Sequence, residues 1–224
     1  IPLKISIKLI MFKYIIGKII RNLTPPIIYK VLSLLLIKSR NDENKLFDGE
    51  DKLFKSAITN HDVYGEYGCG KSTVWVSKKF DIPIYSVESD FFWKINISKT
   101  INNNNCKIKY TNIGKVGPWG VPLDYKRCKF FHNYTDWIWR QKIKPTIILI
   151  DGRFRVCWFL TSLINGNEGA KIIFDDYNVR KHYHYVEKYI KPIKKNKRQG
   201  LFIIPPKKKL NIKKIKKSIN NFRY

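Results

Sequence analysis

The sequence has no long uninterrupted apolar run. Lys4, Lys8, Lys13 and Lys18 interrupt the apolar residues of segment 1–21, so no uncharged stretch approaches the roughly 18 residues that a membrane-spanning helix needs. No small-residue cleavage site follows this segment, so a signal peptide is not favoured. We therefore predict a cytoplasmic protein that is not transmembrane.

Acidic residues are missing from both ends of the chain. Residues 1–40 carry eight Lys or Arg and no acid, and residues 191–224 carry thirteen and no acid. Residues 41–190 carry 23 basic and 17 acidic residues, so most of the formal charge of +27 lies in the two flanks. This distribution predicts only non-specific, salt-sensitive contact with nucleic acid.

The flanks divide the chain into three predicted parts. Residues 1–40 are predicted to form a basic, apolar helical segment, broken at Pro25-Pro26. Such helices suit the surface of an anionic membrane, where the protein would lie as a peripheral protein; packing on the domain and partner binding are the alternatives. Residues 41–205 are predicted to be the folded domain. Residues 206–224 are predicted to be a lysine-rich, solvated and mobile terminus, with contact to phosphate or anionic lipid as the alternative.

The sequence also has no C-x-x-C motif, although it contains four cysteines, Cys69, Cys106, Cys128 and Cys157. Their wide spacing gives little support to a zinc ribbon or a dithiol redox site. We predict reduced thiols of an intracellular protein.

From residue 60 onward, short apolar runs and breakers alternate in a strand–helix order. Strands are predicted at 62–66, 83–87, 106–111, 146–150 and 170–174, helices at 72–80, 91–98 and 156–164, and a loop at 112–130. This order predicts a doubly wound α/β fold with a mostly parallel sheet. Ligands bind at the carboxyl ends of strands in such sheets. Four predicted strands end in acids, namely Glu66, Glu88, Asp151 and Asp175-Asp176.

The segment Gly65–Thr73 fits two cofactor motifs. Read from its first glycine, it is G-x-x-x-x-G-K-S, the P-loop. Lys71 would then contact phosphates and Ser72 a magnesium ion, while the Asp that ends the strand TIILI would hold the metal as well. This interpretation predicts an ATP- or GTP-dependent phosphotransfer enzyme.

Read from Glu66, the same segment is E-x-G-x-G, a pattern of class I S-adenosylmethionine-dependent methyltransferases. Glu66 then closes the first strand, while Gly68 and Gly70 let the backbone approach the cofactor. Glu88 follows 22 residues later, at a position where an acid accepts hydrogen bonds from ribose hydroxyls. We favour S-adenosylmethionine as the cofactor because the P-loop gives Glu88 no role. The other alternative is a non-catalytic binding protein on a degenerate methyltransferase fold.

Further stretches of the chain resemble a family of class I methyltransferase-like proteins often associated with surface polysaccharide or glycan genes. They are EYGCGKSTVW (66–75), VESD (87–90), IGKVGPWGVPLD (113–124), IDGRFRVC (150–157) and FDDY (174–177). The resemblance spans about residues 58–204 and implies a Rossmann-like fold, S-adenosylmethionine, and a small-molecule or glycan hydroxyl as the acceptor. The chain departs from the family at Lys71, where a small or neutral residue is more usual.

Asp151 is the first candidate for a catalytic base, since the end of the fourth strand faces the transferred methyl in this fold. With Asp175 and Asp176 it is also a candidate ligand set for a divalent metal, which would lower the pKa of an acceptor hydroxyl. Asp176, at the end of the fifth strand, is a second catalytic candidate. His184 is the third, because a neutral imidazole is suited to general base chemistry at pH 7.

Four side chains are candidates for substrate contact. Arg153, Arg155 and Arg180 are predicted to hold an anionic or sugar acceptor through forked hydrogen bonds. Trp119, in a Gly-Pro-Trp-Gly loop, is predicted to stack on a sugar ring or to cover the site. The alternative for Trp119 is a buried anchor of its own loop.

Overall fold

The structure is a computed structural model that describes residues 45–48, 50–117 and 120–222. The predicted helical segment 1–40 and Trp119 lie outside the described residues. The described strands are β1 (Tyr64–Tyr67), β2 (Ile84–Glu88), β3 (Cys106–Tyr110), β4 (Ile147–Ile150), β5 (Lys171–Phe174), β6 (Lys194–Lys195) and β7 (Gly200–Ile203).

Helices alternate with these strands. The α-helices in the described part of the chain are α1 (Lys52–Ala57), α2 (Lys71–Lys79), α3 (Phe91–Lys99), α4 (Phe131–Asp136), α5 (Arg155–Asn165) and α6 (Ile212–Phe222). Short 3-10 helices cover Cys128–Phe130, Trp137–Arg140, Lys181–Lys188 and Lys207–Lys209. The helix α3 begins at a conventional cap, because the Asp90 carboxylate accepts hydrogen bonds from the backbone of Phe92 and Trp93.

The described strands form one sheet in the order β3-β2-β1-β4-β5-β7-β6. The strands from β3 to β5 are parallel, and β7 runs antiparallel to both β5 and β6. The predicted doubly wound, mostly parallel sheet is therefore confirmed. The strand order reverses at the β1–β4 pair, which is where ligands bind in open sheets of this kind.

Both faces of the central strands β1, β2 and β4 are buried, as expected of a parallel sheet. Strand β4 shows the alternation: Ile148 and Ile150 join the core cluster that contains α5, whereas Ile147 and Leu149 join the cluster that contains α1 and α2. The helix α5 is buried along most of its length, with Trp158 fully enclosed. This rigid double-sided core fixes the carboxyl ends of β1 and β4 relative to each other.

The C-terminal residues differ from the predicted mobile terminus. Residues Ile212–Phe222 form α6, which packs on α5 and buries Ile215, Ser218 and Ile219. The Ser218 hydroxyl lies 2.6 Å from the Tyr189 hydroxyl. The spacing of these buried residues places them on one helical face, and the lysines lie on the other face, so a basic composition coexists with an ordinary amphipathic helix.

Candidate functional site

The carboxyl ends of β1 and β4 meet at two glycines. Gly68 has a φ of +85°, and a Cβ atom there would lie 3.1 Å from the Cα of Gly152. A Cβ on Gly152 would lie 2.9 Å from the Tyr67 carbonyl oxygen. The two backbones are therefore in close contact at the point where the strand order reverses. The position outside these strand ends, where open α/β sheets bind ligands, is called the crevice below.

The loop between β1 and α2 is held from below by Glu66. This side chain is buried, and its two oxygens accept hydrogen bonds from the hydroxyls of Ser72 and Thr73. Burial raises the pKa of Glu66 to about 8. Glu66 thus supports the glycine loop through α2, and its carboxyl is aimed at the helix hydroxyls.

The same contacts use groups that a P-loop would offer to phosphate. The Cys69 backbone N–H donates to Glu88 at 3.2 Å, and the Gly70 N–H donates to the Thr73 hydroxyl at 2.9 Å. The Ser72 hydroxyl, expected on magnesium, donates to Glu66 instead. The P-loop interpretation is not supported, because two loop N–H groups and the metal-binding hydroxyl are committed to the protein.

Glu88 ends β2 and lies beside the crevice. Its side chain is buried, and its carboxylate accepts backbone hydrogen bonds from Cys69, Ser89 at 2.6 Å and Asp90 at 2.8 Å. Burial raises the pKa of Glu88, and these three N–H donors oppose the shift. Gly120 covers this corner, since a Cβ there would lie 2.7 Å from the Ser89 hydroxyl oxygen.

Tyr134, in α4, also faces the crevice. Its hydroxyl lies 3.1 Å from the position that a Cβ on Gly152 would occupy. The ring is buried against Trp158, with centroids 4.2 Å apart. Burial and the neighbouring Glu88 carboxylate hold the pKa of Tyr134 well above its usual range, while a hydrogen bond with Ser89 opposes them. The phenol therefore stays protonated as a donor at neutral pH.

Arg155 joins the ends of β4 and β5. The Nε atom donates to the Gly152 carbonyl at 3.0 Å, and Nη1 donates to the Asp175 carbonyl at 2.6 Å. The Nη2 atom donates to the Asp151 carbonyl at 3.1 Å and to its Oδ1 at 2.9 Å. Since Nη1 also lies 3.3 Å from Asp176, the buried guanidinium is saturated by the protein. The prediction that Arg155 holds the acceptor is therefore wrong; it is a positioning residue.

Asp175 and Asp176 belong to the same arginine network. Arg198 donates to both oxygens of Asp175, at 2.8 and 3.0 Å, and lies 2.9 Å from Asp176. Arg180 lies 3.2 Å from Asp176. Within the described residues no group of three potential ligands could hold a metal ion. The predicted metal site at Asp151, Asp175 and Asp176 is corrected accordingly, because guanidinium groups already neutralise these carboxylates.

Asp176 is placed by its backbone as well as by its charge. It has a φ of +59°, in the left-handed region, and its side chain is only 9% exposed. An aspartate tolerates this conformation better than most residues do. Because Asp176 pairs with three arginines, the geometry assigns it to the network rather than to proton transfer.

Asp151 is the network member that reaches the crevice. Its side chain is 35% exposed and follows β4 directly. Partial burial and the Asp175 carboxylate raise the pKa of Asp151 above its usual range, against the opposing charge of Arg155. Its neighbour Arg153 is partly buried near Tyr134, and burial together with Arg155 lowers the pKa of Arg153.

His184 lies against Tyr177. Its Nε2 atom lies 3.1 Å from the Tyr177 carbonyl oxygen, and the two rings stack with centroids 4.6 Å apart. The donor role of Nε2 in this contact depends on the tautomer. The described contacts of His184 do not include Asp151, so its predicted catalytic role stays a prediction.

Several residues of the site carry no signal in the sequence. Tyr134 lies in a segment without a recognisable motif, and nothing distinguishes Arg198 from the other cations of the basic segment 191–224. Ser89 and Gly120 became visible only because the loop after β3 folds over the end of β2.

No protein-family model matches the chain, and no curated protein is similar to it. Solved structures are similar. A methyltransferase-like protein from Silicibacter pomeroyi DSS-3 is 26% identical with a TM-score of 0.61, covering 73% of this chain and 88% of that chain. A putative O-methyltransferase from Klebsiella pneumoniae is 14% identical with a TM-score of 0.43, covering 81% of this chain and 77% of that chain. The latter is too distant to carry an argument.

Three observations support the same fold class: the sheet order, the antiparallel β7 and the similarity to the Silicibacter pomeroyi structure. The predicted fold class is confirmed: the chain has the Rossmann-like fold of class I methyltransferases.

Proposed function

We propose that this protein transfers a methyl group from S-adenosylmethionine to a hydroxylated acceptor. The observation that carries the proposal is the contact of Gly68 with Gly152 at the reversal of the strand order, where open sheets bind ligands, with Glu88 at the neighbouring strand end. The similarity to a methyltransferase-like protein at 26% identity supports it.

The residues of the crevice fit this cofactor. Gly68 and Gly152 let the ends of β1 and β4 pack in contact below the crevice, since a Cβ at either position would lie within 3.1 Å of the facing backbone. Three backbone N–H groups fix the Glu88 carboxylate. Its two weaker contacts, from the Ser89 hydroxyl at 3.3 Å and the Cys69 thiol at 3.8 Å, are those that ribose hydroxyls would replace.

When bound, the cofactor would supply a methyl group on a positively charged sulfonium. Asp151 would take the proton from the acceptor hydroxyl, since it is the acid that is exposed at the crevice. Its raised pKa brings the carboxylate closer to the range that suits a base working near neutral pH. Arg155 holds Oδ1 of Asp151 at 2.9 Å and thereby orients the carboxylate.

The acceptor would lie next to Arg153 and Arg180. Arg180 is 47% exposed and only partly committed to Asp176, so its guanidinium suits a polar or anionic acceptor. The resemblance to glycan-associated proteins favours a glycan-like hydroxyl as the acceptor.

Segment 1–40 would bring the enzyme to an anionic membrane surface. Co-sedimentation with anionic vesicles at low salt and at 0.5 M salt tests this proposal. Among the described residues no helix is long and apolar enough to cross a bilayer.

The experiment is methyl transfer from radiolabelled S-adenosylmethionine to a panel of oligosaccharides. Asp151→Asn keeps the size of the side chain and removes its charge, so turnover should fall by at least about 10²-fold while S-adenosylhomocysteine affinity is spared. The control is Asp81→Asn, an exposed acid that contacts Asn105. Full turnover in Asp151→Asn would remove this residue from the mechanism. Binding without transfer to any acceptor would favour the non-catalytic alternative.

A further inference from the structure

A cavity of about 400 Å³ lies beside the edge strand β3. It is formed by the end of β3, the residues that follow it, and the segment around α4. Strand β3 is separated from β1 by β2, so this cavity is on the far side of Glu88 from the glycine crevice. Its volume falls within the range of small-molecule sites, and the proposed methyl transfer gives it no role.

The charged side chains that line the cavity are basic. They are Lys109, Arg127 and Arg140, and none of the described lining residues is acidic. Arg140 has an acid nearby, Asp136 at 3.7 Å, but that arginine is 59% exposed and the pair is weak. Three cations converging without a lining acid favour an anionic ligand.

Aromatic rings complete the lining. Tyr110, Phe130 and Trp137 are each partly buried and line the cavity beside the cations. The Arg127 guanidinium lies 4.9 Å from the centroid of the Phe130 ring. Partly exposed rings beside basic groups are the combination that binds a base by stacking and its phosphate by charge.

We propose that this cavity binds a nucleotide, with its phosphate on Lys109, Arg127 and Arg140 and its base stacked on Trp137. Asn112 and Asn133, which also line the cavity, supply amide donors and acceptors for the edge of the base. The nucleotide is either free or one unit of a single strand, since both present the same phosphate and ring.

The cavity borders the cofactor side of the sheet, and a test has to separate the two. The residue after β3, Thr111, lines the cavity and donates its N–H to the Glu88 carbonyl at 2.8 Å. Uridine 5′-monophosphate is therefore titrated by calorimetry with and without saturating S-adenosylhomocysteine. The proposal does not depend on methyl transfer, because the readout is binding alone.

Two charge reversals, Lys109→Glu and Arg127→Glu, are compared with the control Lys213→Glu. Lys213 is exposed on α6, and its replacement by Glu changes the net charge as much as the two cavity variants do. This control is needed because the formal charge of +27 could attract any anion. At 0.15 M salt, the cavity variants should weaken binding at least tenfold, and the control should stay within twofold of wild type. Uridine, which lacks the phosphate, should bind at least tenfold more weakly than its monophosphate.

Labelled hexauridylate distinguishes the two sources of the ligand. If hexauridylate binds at least tenfold more tightly than the monophosphate, and Lys109→Glu abolishes this gain, the ligand is a single strand. If hexauridylate binds equally or more weakly, the ligand is a free nucleotide. Equal weakening in all three variants would overturn the proposal, because it would indicate general charge attraction. Displacement by S-adenosylhomocysteine, or no binding to wild type at millimolar ligand, would overturn it too.

Discussion

Replacing Arg155 by methionine removes the guanidinium that joins the ends of β4 and β5. The side chain is only 6% exposed and spans Asp151, Gly152 and Asp175 with hydrogen bonds of 2.6 to 3.1 Å. Methionine fills a similar volume but offers no donor, so three backbone carbonyls and the Asp151 carboxylate lose this partner.

Breaking a buried ion pair by removing one partner costs about 3–5 kcal/mol. Arg198 remains on Asp175 and Asp176, so we expect the lower end, about 3 kcal/mol. Arg155→Lys keeps the charge but loses the planar fork, and we expect a loss of about 1–2 kcal/mol from the unmatched carbonyls.

The assay is urea unfolding at pH 7.5, followed by tryptophan fluorescence. Arg140→Met is the control, because its ion pair with Asp136 is exposed and 3.7 Å long, and such pairs contribute less than about 1 kcal/mol. A loss in Arg155→Met no larger than in Arg140→Met would refute the inference that the network holds the strand ends together.

Three further predictions concern the loop, the terminus and the crevice. Burial raises the pKa of Glu66 to about 8, so the folded state binds the proton more tightly than the unfolded state. The free energy of unfolding in urea should therefore fall as the pH rises from about 5 to 8, and Glu66→Gln should reduce this fall. Ile215→Ala should destabilise by about 2–4 kcal/mol, and exposed Lys213→Ala by less than about 0.5 kcal/mol, if α6 belongs to the fold. Gly68→Ala, at positive φ, should abolish S-adenosylhomocysteine binding in calorimetry; Gly70→Ala, with open space around its Cβ, should fold normally.

The strands and helices with strong apolar patterns were predictable. The fourth strand, predicted at 146–150, is found at Ile147–Ile150, and the helix predicted at 156–164 is found at Arg155–Asn165. The strand is apolar throughout, the helix carries mostly apolar residues, and both end at residues that break the pattern. Local sequence is enough for such elements because burial on every side leaves one interpretation.

Other elements depended on partners far along the chain. Strand β7 begins at Gly200 and pairs antiparallel with β5. A four-residue strand that alternates buried and partly buried residues gives little periodicity of its own. The helix α6 was hidden by its lysines, although its buried residues recur at helical spacing. Composition described the solvent face and concealed the core face.

The acidic strand ends were found, but their partners were not. Arg198 reaches Asp175 from 23 residues away, and the hydroxyls of Ser72 and Thr73 reach Glu66 from the following helix. A sequence names the charged groups that meet at a sheet edge. Which of them neutralise one another, and which stays exposed, follows from packing that only the fold defines.

Calorimetric titration with S-adenosylhomocysteine and with ATP–Mg²⁺, side by side on the wild-type protein, tests the central claim most directly. We predict micromolar binding of S-adenosylhomocysteine and none of ATP. Glu88→Ala should weaken that binding by about 1–3 kcal/mol, since the ribose hydroxyls would lose a charged acceptor. Binding of ATP that Lys71→Ala abolishes, with no binding of S-adenosylhomocysteine, would contradict the account.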